Sequence, residues 1–475
     1  MLVVTVVSGL VGIVIAREFG RTEETDGFFA AYGVFIVVVL AAQAIRIATI
    51  PSLARARDEN RLAGEIAGFA IALALVAIPL VLVTELFAAP IADVLTGNGS
   101  IVSQDAAADA LRWMVPAAAL HLFAGLSASG LAALDDYGVA AFGYAAGSVA
   151  GLALILVRVE PDGIISVAWG MTLNAAIAFV LPAAVLVWRA VRTRMPRRAV
   201  RPTGQPLRAR LGAFVAAAAL PIALQMLYVV CLPFAGRLGT GAVTSFGYAY
   251  LAAASLVTVT AFSLGLVTSA PLLRSGIDSE GAANHVVAAS WIALALIGAA
   301  AGVFAVVGSD LVEAVLGDAF GGDVGTEVAR LVVVLSPWIV ASVGVYTAFP
   351  LLFVVGRTKL LPLLAVAALA FQVLLAWAVV EIAELDGLAL ALALTTFLVL
   401  AALLHELGAL RSAARGLVVA AAAVAGLTLA AFVPPAIVLG SAAAAAVGLL
   451  AYGVLVAVVR PRGLTTSWSY LRALR

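Results

Sequence analysis

Charge is what this sequence lacks. Only 11% of its 475 residues are Asp, Glu, Lys or Arg, against about 25% in an ordinary soluble domain. The 27 basic and 26 acidic residues leave a net charge of +1, which excludes a bulk electrostatic partner such as nucleic acid. Cysteine is nearly absent. Cys231 stands alone in an apolar run, so no intramolecular disulfide can form. Nothing resembles a Walker motif, so ATP is not the direct energy source. No cluster of His, Cys and carboxylates points to a metal, and no catalytic constellation points to an enzyme. No cofactor is expected.

What is present is apolar. The hydrophobic fraction is 64% and the mean hydropathy is +1.16. A spanning helix needs about 20 mostly apolar residues. Fourteen such runs are predicted, at 2–16, 28–50, 67–89, 111–133, 138–157, 164–188, 211–235, 243–268, 286–307, 329–353, 360–380, 387–408, 415–436 and 440–459. The first has fifteen residues, which is short for a span. It lacks a basic leader and an A-x-A site, so it reads as a span and not as a signal peptide; its length suggests a start upstream of Met1. No separate soluble domain is expected.

The basic residues are sorted. Numbering the gaps between runs, alternate gaps and both tails hold twenty of the twenty-seven, eight of them between Arg189 and Arg210. The other gaps hold six, and Arg46 lies inside a run. Loops rich in Lys and Arg stay on the cytoplasmic side. Both termini are therefore expected in the cytoplasm, with the chain crossing the cytoplasmic membrane an even number of times. Eighteen of the twenty-six acids fall on the opposite side.

A repeat recurs at a spacing of about 220 residues. Gly20 matches Gly239; 29–55 matches 248–274, each a long apolar helix closing on Pro and Arg; Val94-Leu95 matches Val315-Leu316; Pro116 matches Pro337; Asp162-Gly163 matches Asp386-Gly387. An even number of spans separates the copies, so both run the same way. The expected fold is all-α: two parallel six-helix lobes about an axis along the membrane normal, 1–189 and 209–409. A basic linker, 190–208, joins them and can meet anionic headgroups. Two further helices and a cytoplasmic tail occupy 410–475.

Polar side chains inside runs mark the candidate site, because a charge at mid-bilayer costs about 2.5–3.5 kcal/mol on insertion scales. Arg46 can hold a phosphate bidentately or snorkel to the interface near Pro51 and Arg55. Gln43 lies one turn before it. His121 in the fourth run is a candidate for proton coupling or for an interhelical hydrogen bond. Asp26 opens the second run, where a first-turn acid suits the helix dipole. Gln225, Tyr228, Tyr248 and Tyr250 are the second lobe's candidates, with aromatic anchoring at the interface as the other reading of the tyrosines. Gly143, Gly147 and Gly151 form a helix-packing face. Asp135-Asp136 are expected to cap the fifth helix. The alanines at 420–423 and 442–446 suit either a shallow lipid-facing groove or close packing.

The stretch Ala16-Arg17-Glu18-Phe19-Gly20, then Thr25-Asp26-Gly27-Phe28-Phe29-Ala30-Ala31-Tyr32, resembles the passage "A-R-x-F-G … T-D-A-F-F-x-A-F" of the MurJ/MviN lipid II flippase family, in the multidrug/oligosaccharidyl-lipid/polysaccharide (MOP) exporter superfamily. Gly241-Ala242-Val243, Tyr248-Ala249-Tyr250 and Pro271-Leu272-Leu273-Arg274 are similar to its helix 8 passage, and Gly356-Arg357-Thr358-Lys359 to a short turn between helices 10 and 11. The resemblance implies a monomeric transporter that flips an undecaprenyl-linked saccharide by alternating access. An ion gradient or the membrane potential would drive it, and the last two helices would guide the lipid tail. The chain departs from the family at its cavity arginines: Val11, about Val39, and Tyr250 or Leu251 stand in their places, and Gln43-Ala44-Ile45-Arg46 replaces an "E-G-A" element. Two alternatives follow, a drug/cation antiporter of the same superfamily and a membrane scaffold without transport.

Overall fold

A computed structural model describes residues 2–97, 99–192, 206–258, 260, 278–357 and 359–473, all in helices and the turns between them. Most of the basic linker and the second half of the eighth run, including Pro271 to Arg274, lie outside the described residues. Among the described residues, eleven helices are long and apolar enough to cross a membrane.

The chain divides into two compact units. Unit 1 comprises Met1–Thr244 and Leu361–Leu369. It contains α1 (Leu2–Phe19), α2 (Glu23–Asp58), α3 (Leu62–Leu95), α4 (Ile101–Ala132), α5 (Gly138–Asp162), α6 (Ile165–Arg192) and α7 (Leu207–Gly236). Helix α1 stops at Gly20, whose φ of 60° is left-handed. Thr22 then opens α2 with a capping box closed by Thr25. Helix α3 bends at Phe87, three residues before Pro90. Pro90 can offer no N–H to Leu86, and its ring crowds that turn.

Several helices outrun the predicted spans. Helix α4 starts ten residues earlier than its apolar run, at the Ser100 cap. Hydropathy marks the slab of lipid, whereas a helix continues until something caps it. At its other end Asp136, one residue before the N-cap Tyr137 of α5, accepts from the Val139 N–H at 3.3 Å and so satisfies one amide of the first turn. Asp135 does not cap: at φ 59° it turns outward to an ion pair with Arg57 at 2.6 Å.

Helix α4 is the axis of unit 1 and packs against α2, α3 and α6. The glycine ladder of α5 is a packing face, as expected. A Cβ on Gly147 would stand 2.6 Å from the Asn174 carbonyl of α6, and one on Gly151 would stand 2.5 Å from the Gly170 carbonyl.

Unit 2 comprises Ser245–Leu360 and Ala370–Arg475. Helix α8 (Ala242–Val257) leads into it, followed by α9 (Ser279–Leu316), a 3-10 turn at Asp318–Phe320, α10 (Gly322–Val334), α11 (Ser336–Val355), α12 (Leu361–Glu406), α13 (Leu410–Val438), α14 (Ser441–Val459) and α15 (Arg462–Ala473). The run predicted at 329–353 falls in one span, Gly322–Leu352, whose hydrogen bonding is interrupted at Leu335 because Pro337 withholds an N–H.

Helix α12 has 46 residues and would be about 69 Å long if straight, against a hydrocarbon slab of about 30 Å. It is not straight. Ala383 and Glu384 leave helical geometry, Glu384 with φ 46°. Arg357, four residues before α12, donates to the carbonyl of Glu406, its last residue, at 2.5 Å. The helix changes direction at 383–384. Helices α13 and α14 pack on α9: a Cβ on Gly302 would meet the Phe432 ring at 2.4 Å, and the Tyr452 hydroxyl donates to the Ala295 carbonyl at 2.8 Å. Ala420, Ala444 and Ala445 are buried, while Ala421, Ala422, Ala442, Ala443 and Ala446 are exposed. The alanines thus serve packing on one side and present a smooth face on the other.

Candidate functional site

In unit 1 the polar candidates of α2 and α4 come together on a residue of α5. Arg46 is half-buried on α2. Its aliphatic stem runs along α4 where α4 has no side chain: a Cβ on Gly125 would lie 3.3 Å from the Ala42 carbonyl and 3.7 Å from Arg46 Cγ. The guanidinium lies near enough to Tyr144 of α5 for its charge to act on the phenol. His121, one turn before Gly125 on α4 and 7% exposed, lies flat beside the same tyrosine, with ring centroids 6.2 Å apart and planes 3° from parallel. Its other side meets Phe35 edge-on at 6.0 Å.

Tyr144 thus stacks on His121 and lies within electrostatic reach of Arg46. A guanidinium offers five N–H donors, and the phenol and a neutral imidazole offer one each. That is a donor set for an anion with several oxygens, such as a phosphate. Sequence reading singled out Arg46 and His121 separately and missed Tyr144. The available signal was its place between Gly143 and Gly147, where α5 must lie close to a neighbour. The Gln43 side chain lies outside the described residues.

Asp26 stands in the first turn of α2, as its position suggested, and has a further task. Thr22 is the cap of α2. The buried Asp26 carboxylate accepts from the Gly241 N–H at 2.5 Å, the Thr244 N–H at 2.8 Å and the Thr244 hydroxyl at 2.6 Å. Arg21 Nε donates to the Gly241 carbonyl at 2.8 Å. The turn before α8 is gripped on both faces, and the carboxylate meets the positive end of a helix.

The remaining candidates sit in packed interiors. Tyr228, 1% exposed, lines the seam where α7 packs on α2 at Gly33, and Gln225 is buried one turn earlier. In unit 2, Tyr248 meets Phe320 edge-on at 5.1 Å and Tyr250 leans on Trp338 at 4.9 Å. Among the described residues no group of three metal-ligating side chains assembles.

One constellation gave no sequence signal. Glu65 of α3 and Arg210 of α7 pair at 2.7 Å with side chains only 8% and 10% exposed. The guanidinium lies over the Phe69 ring at 5.2 Å, in space that exists because residue 68 is glycine: a Cβ there would stand 1.3 Å from Arg210 Nη1. In sequence Arg210 was one more loop arginine, and the partners are 145 residues apart.

The fold is that of MOP superfamily transporters. The lipid II flippase MurJ in its inward closed conformation superposes with a TM-score of 0.73 at 14% identity, covering 97% of this chain and 99% of that one. A multidrug resistance MATE family transporter in an inward-facing conformation gives 0.61 at 15% identity, covering 86% and 98%. A MOP superfamily transporter from Pyrococcus furiosus gives 0.58 at 13% identity, covering 90% and 94%. No protein-family model matches the chain, and no curated protein sequence matches it.

Proposed function

We propose that this chain flips an undecaprenyl-(pyro)phosphate-linked saccharide, a precursor of peptidoglycan or surface polysaccharide, across the cytoplasmic membrane by alternating access. The observation that carries this reading is the C-terminal pair α13–α14. The likeness to the flippase runs through nearly the whole of both chains, whereas the likeness to the multidrug transporter leaves more of this chain unmatched. A helix pair packed on α9 by one side and presenting alanines on the other suits a polyprenyl tail that stays in lipid. The Arg46–Tyr144–His121 group supplies donors for the phosphate end.

In this reading fourteen spans are completed by α1, α8 and the two arms of α12. Both termini lie in the cytoplasm, an ion gradient or the membrane potential supplies the energy, and the chain acts as a monomer. A cysteine in 190–208 then resists an impermeant thiol reagent in intact cells, while one in 318–326 reacts; reversed labelling overturns the topology.

The direct test is reconstitution with a fluorescent undecaprenyl-pyrophosphate saccharide. Its outer-leaflet fraction should rise with protein and fall back in an Arg46→Ala variant. A chain that moves none of this lipid, yet exchanges organic cations for protons or sodium, is the antiporter that the multidrug likeness also accommodates.

A further inference from the structure

We propose that α15 is an interfacial helix that gathers anionic phospholipid headgroups at the end of the bundle. Helix α14 displays Val454, Val458 and Val459 at its surface up to its last residue, and this apolar surface, fit to face hydrocarbon, gives way to the exposed Arg460. There Arg460 adopts a left-handed conformation with φ 42° and donates from Nε to the Ala457 carbonyl at 3.1 Å. Pro461 then opens α15, its carbonyl accepting from Leu464 and Thr465. The helix therefore begins where the acyl chains give way to headgroups.

Its inner face holds it there. A Cβ on Gly463 would stand 2.2 Å from the Trp291 ring of α9. Leu464 joins the cluster of Trp291, Leu294, Ala420 and Val424. Ser467 is buried and returns a hydrogen bond to the Gly463 carbonyl at 2.6 Å. The outer face carries Thr465, Thr466 and Ser469, with Trp468 56% exposed. Tryptophan, with an apolar ring and one N–H, is the side chain of choice at the headgroup level.

Charge names the lipid. Residues 460–475 contain Arg460, Arg462, Arg472 and Arg475 and no acid. A basic residue close to an anionic surface raises affinity about fivefold, and two or more signals together hold a segment at a membrane.

The full chain is reconstituted in phosphatidylcholine vesicles containing phosphatidylglycerol, with bromine on the acyl chains of one lipid or the other. The fluorescence lost in Trp468→Phe isolates that residue. Brominated phosphatidylglycerol should quench it at about a tenfold lower mole fraction than brominated phosphatidylcholine. Replacing all four arginines by Gln should erase the preference, and replacing them by Lys should keep most of it, which separates lost charge from lost fold. Equal quenching by the two lipids, or a preference that survives the Gln variant, overturns the proposal. So does quenching by aqueous iodide in place of bromolipid, or shielding that grows with protein density, which marks a contact between copies.

Discussion

Removing one member of the Glu65–Arg210 pair should cost far more than removing both. The side chains are 8% and 10% exposed and meet at 2.7 Å. Truncating one partner of a buried pair typically costs about 3–5 kcal/mol, because the other charge is left without water or a counter-charge. Arg210→Met should therefore unfold at much lower denaturant, with Glu65 stranded in α3. Glu65→Leu should behave similarly, since the guanidinium keeps only its stack on Phe69, worth about 0.5–2 kcal/mol. The double variant buries apolar groups of similar volume and should be near wild type, or more stable by up to about 1–4 kcal/mol. Gly68→Ala gives an independent check. Its Cβ would stand 1.3 Å from Nη1, so the guanidinium must leave and the pair must open. It should cost about as much as Arg210→Met in the wild-type chain, and little where both partners are already apolar. Reversible unfolding in mixed micelles, followed by tryptophan fluorescence, reads all five variants, including Gly68→Ala in the double background. Additive single substitutions, or a Gly68→Ala penalty that persists in the apolar background, would refute the argument.

Asp26→Ala leaves the Gly241 and Thr244 amides without their acceptor and should cost about 2–4 kcal/mol in the same assay, with Thr244→Val costing less because one of three bonds is lost; no change means that water replaces the carboxylate. Gly151→Leu should separate α5 from α6, since its Cβ already stands 2.5 Å from the Gly170 carbonyl, and a variant that purifies folded with wild-type stability contradicts the close packing. In the flipping assay Arg46→Ala should abolish transport and Arg46→Lys restore only part of it, because an ammonium keeps the charge and loses the fork. Tyr144→Phe, which removes a single donor, should slow transport at least about tenfold with unchanged expression, at about 1.5–3 kcal/mol for a hydrogen bond to a charged group; normal flipping by both Arg46→Ala and Tyr144→Phe removes this group from the transport site.

Membrane residence, the helical class and the glycine face of α5 were legible in the sequence, and the reason is local. An apolar run of about 20 residues has few stable alternatives to a spanning helix, and three glycines at a spacing of four lie on one side of it whatever they meet. Helix ends were less legible, because hydropathy follows the lipid slab while caps such as Ser100 and Asp278 decide where α4 and α9 begin. The polar contacts were decided by tertiary structure alone. Asp26 holds residues more than 200 positions away, and Arg210 reaches Glu65 across 145. Tyr144 gains its meaning only when α2 and α4 bring Arg46 and His121 to it. A buried polar group must find its partner wherever the fold provides one, and the order of residues along the chain does not say which one that will be.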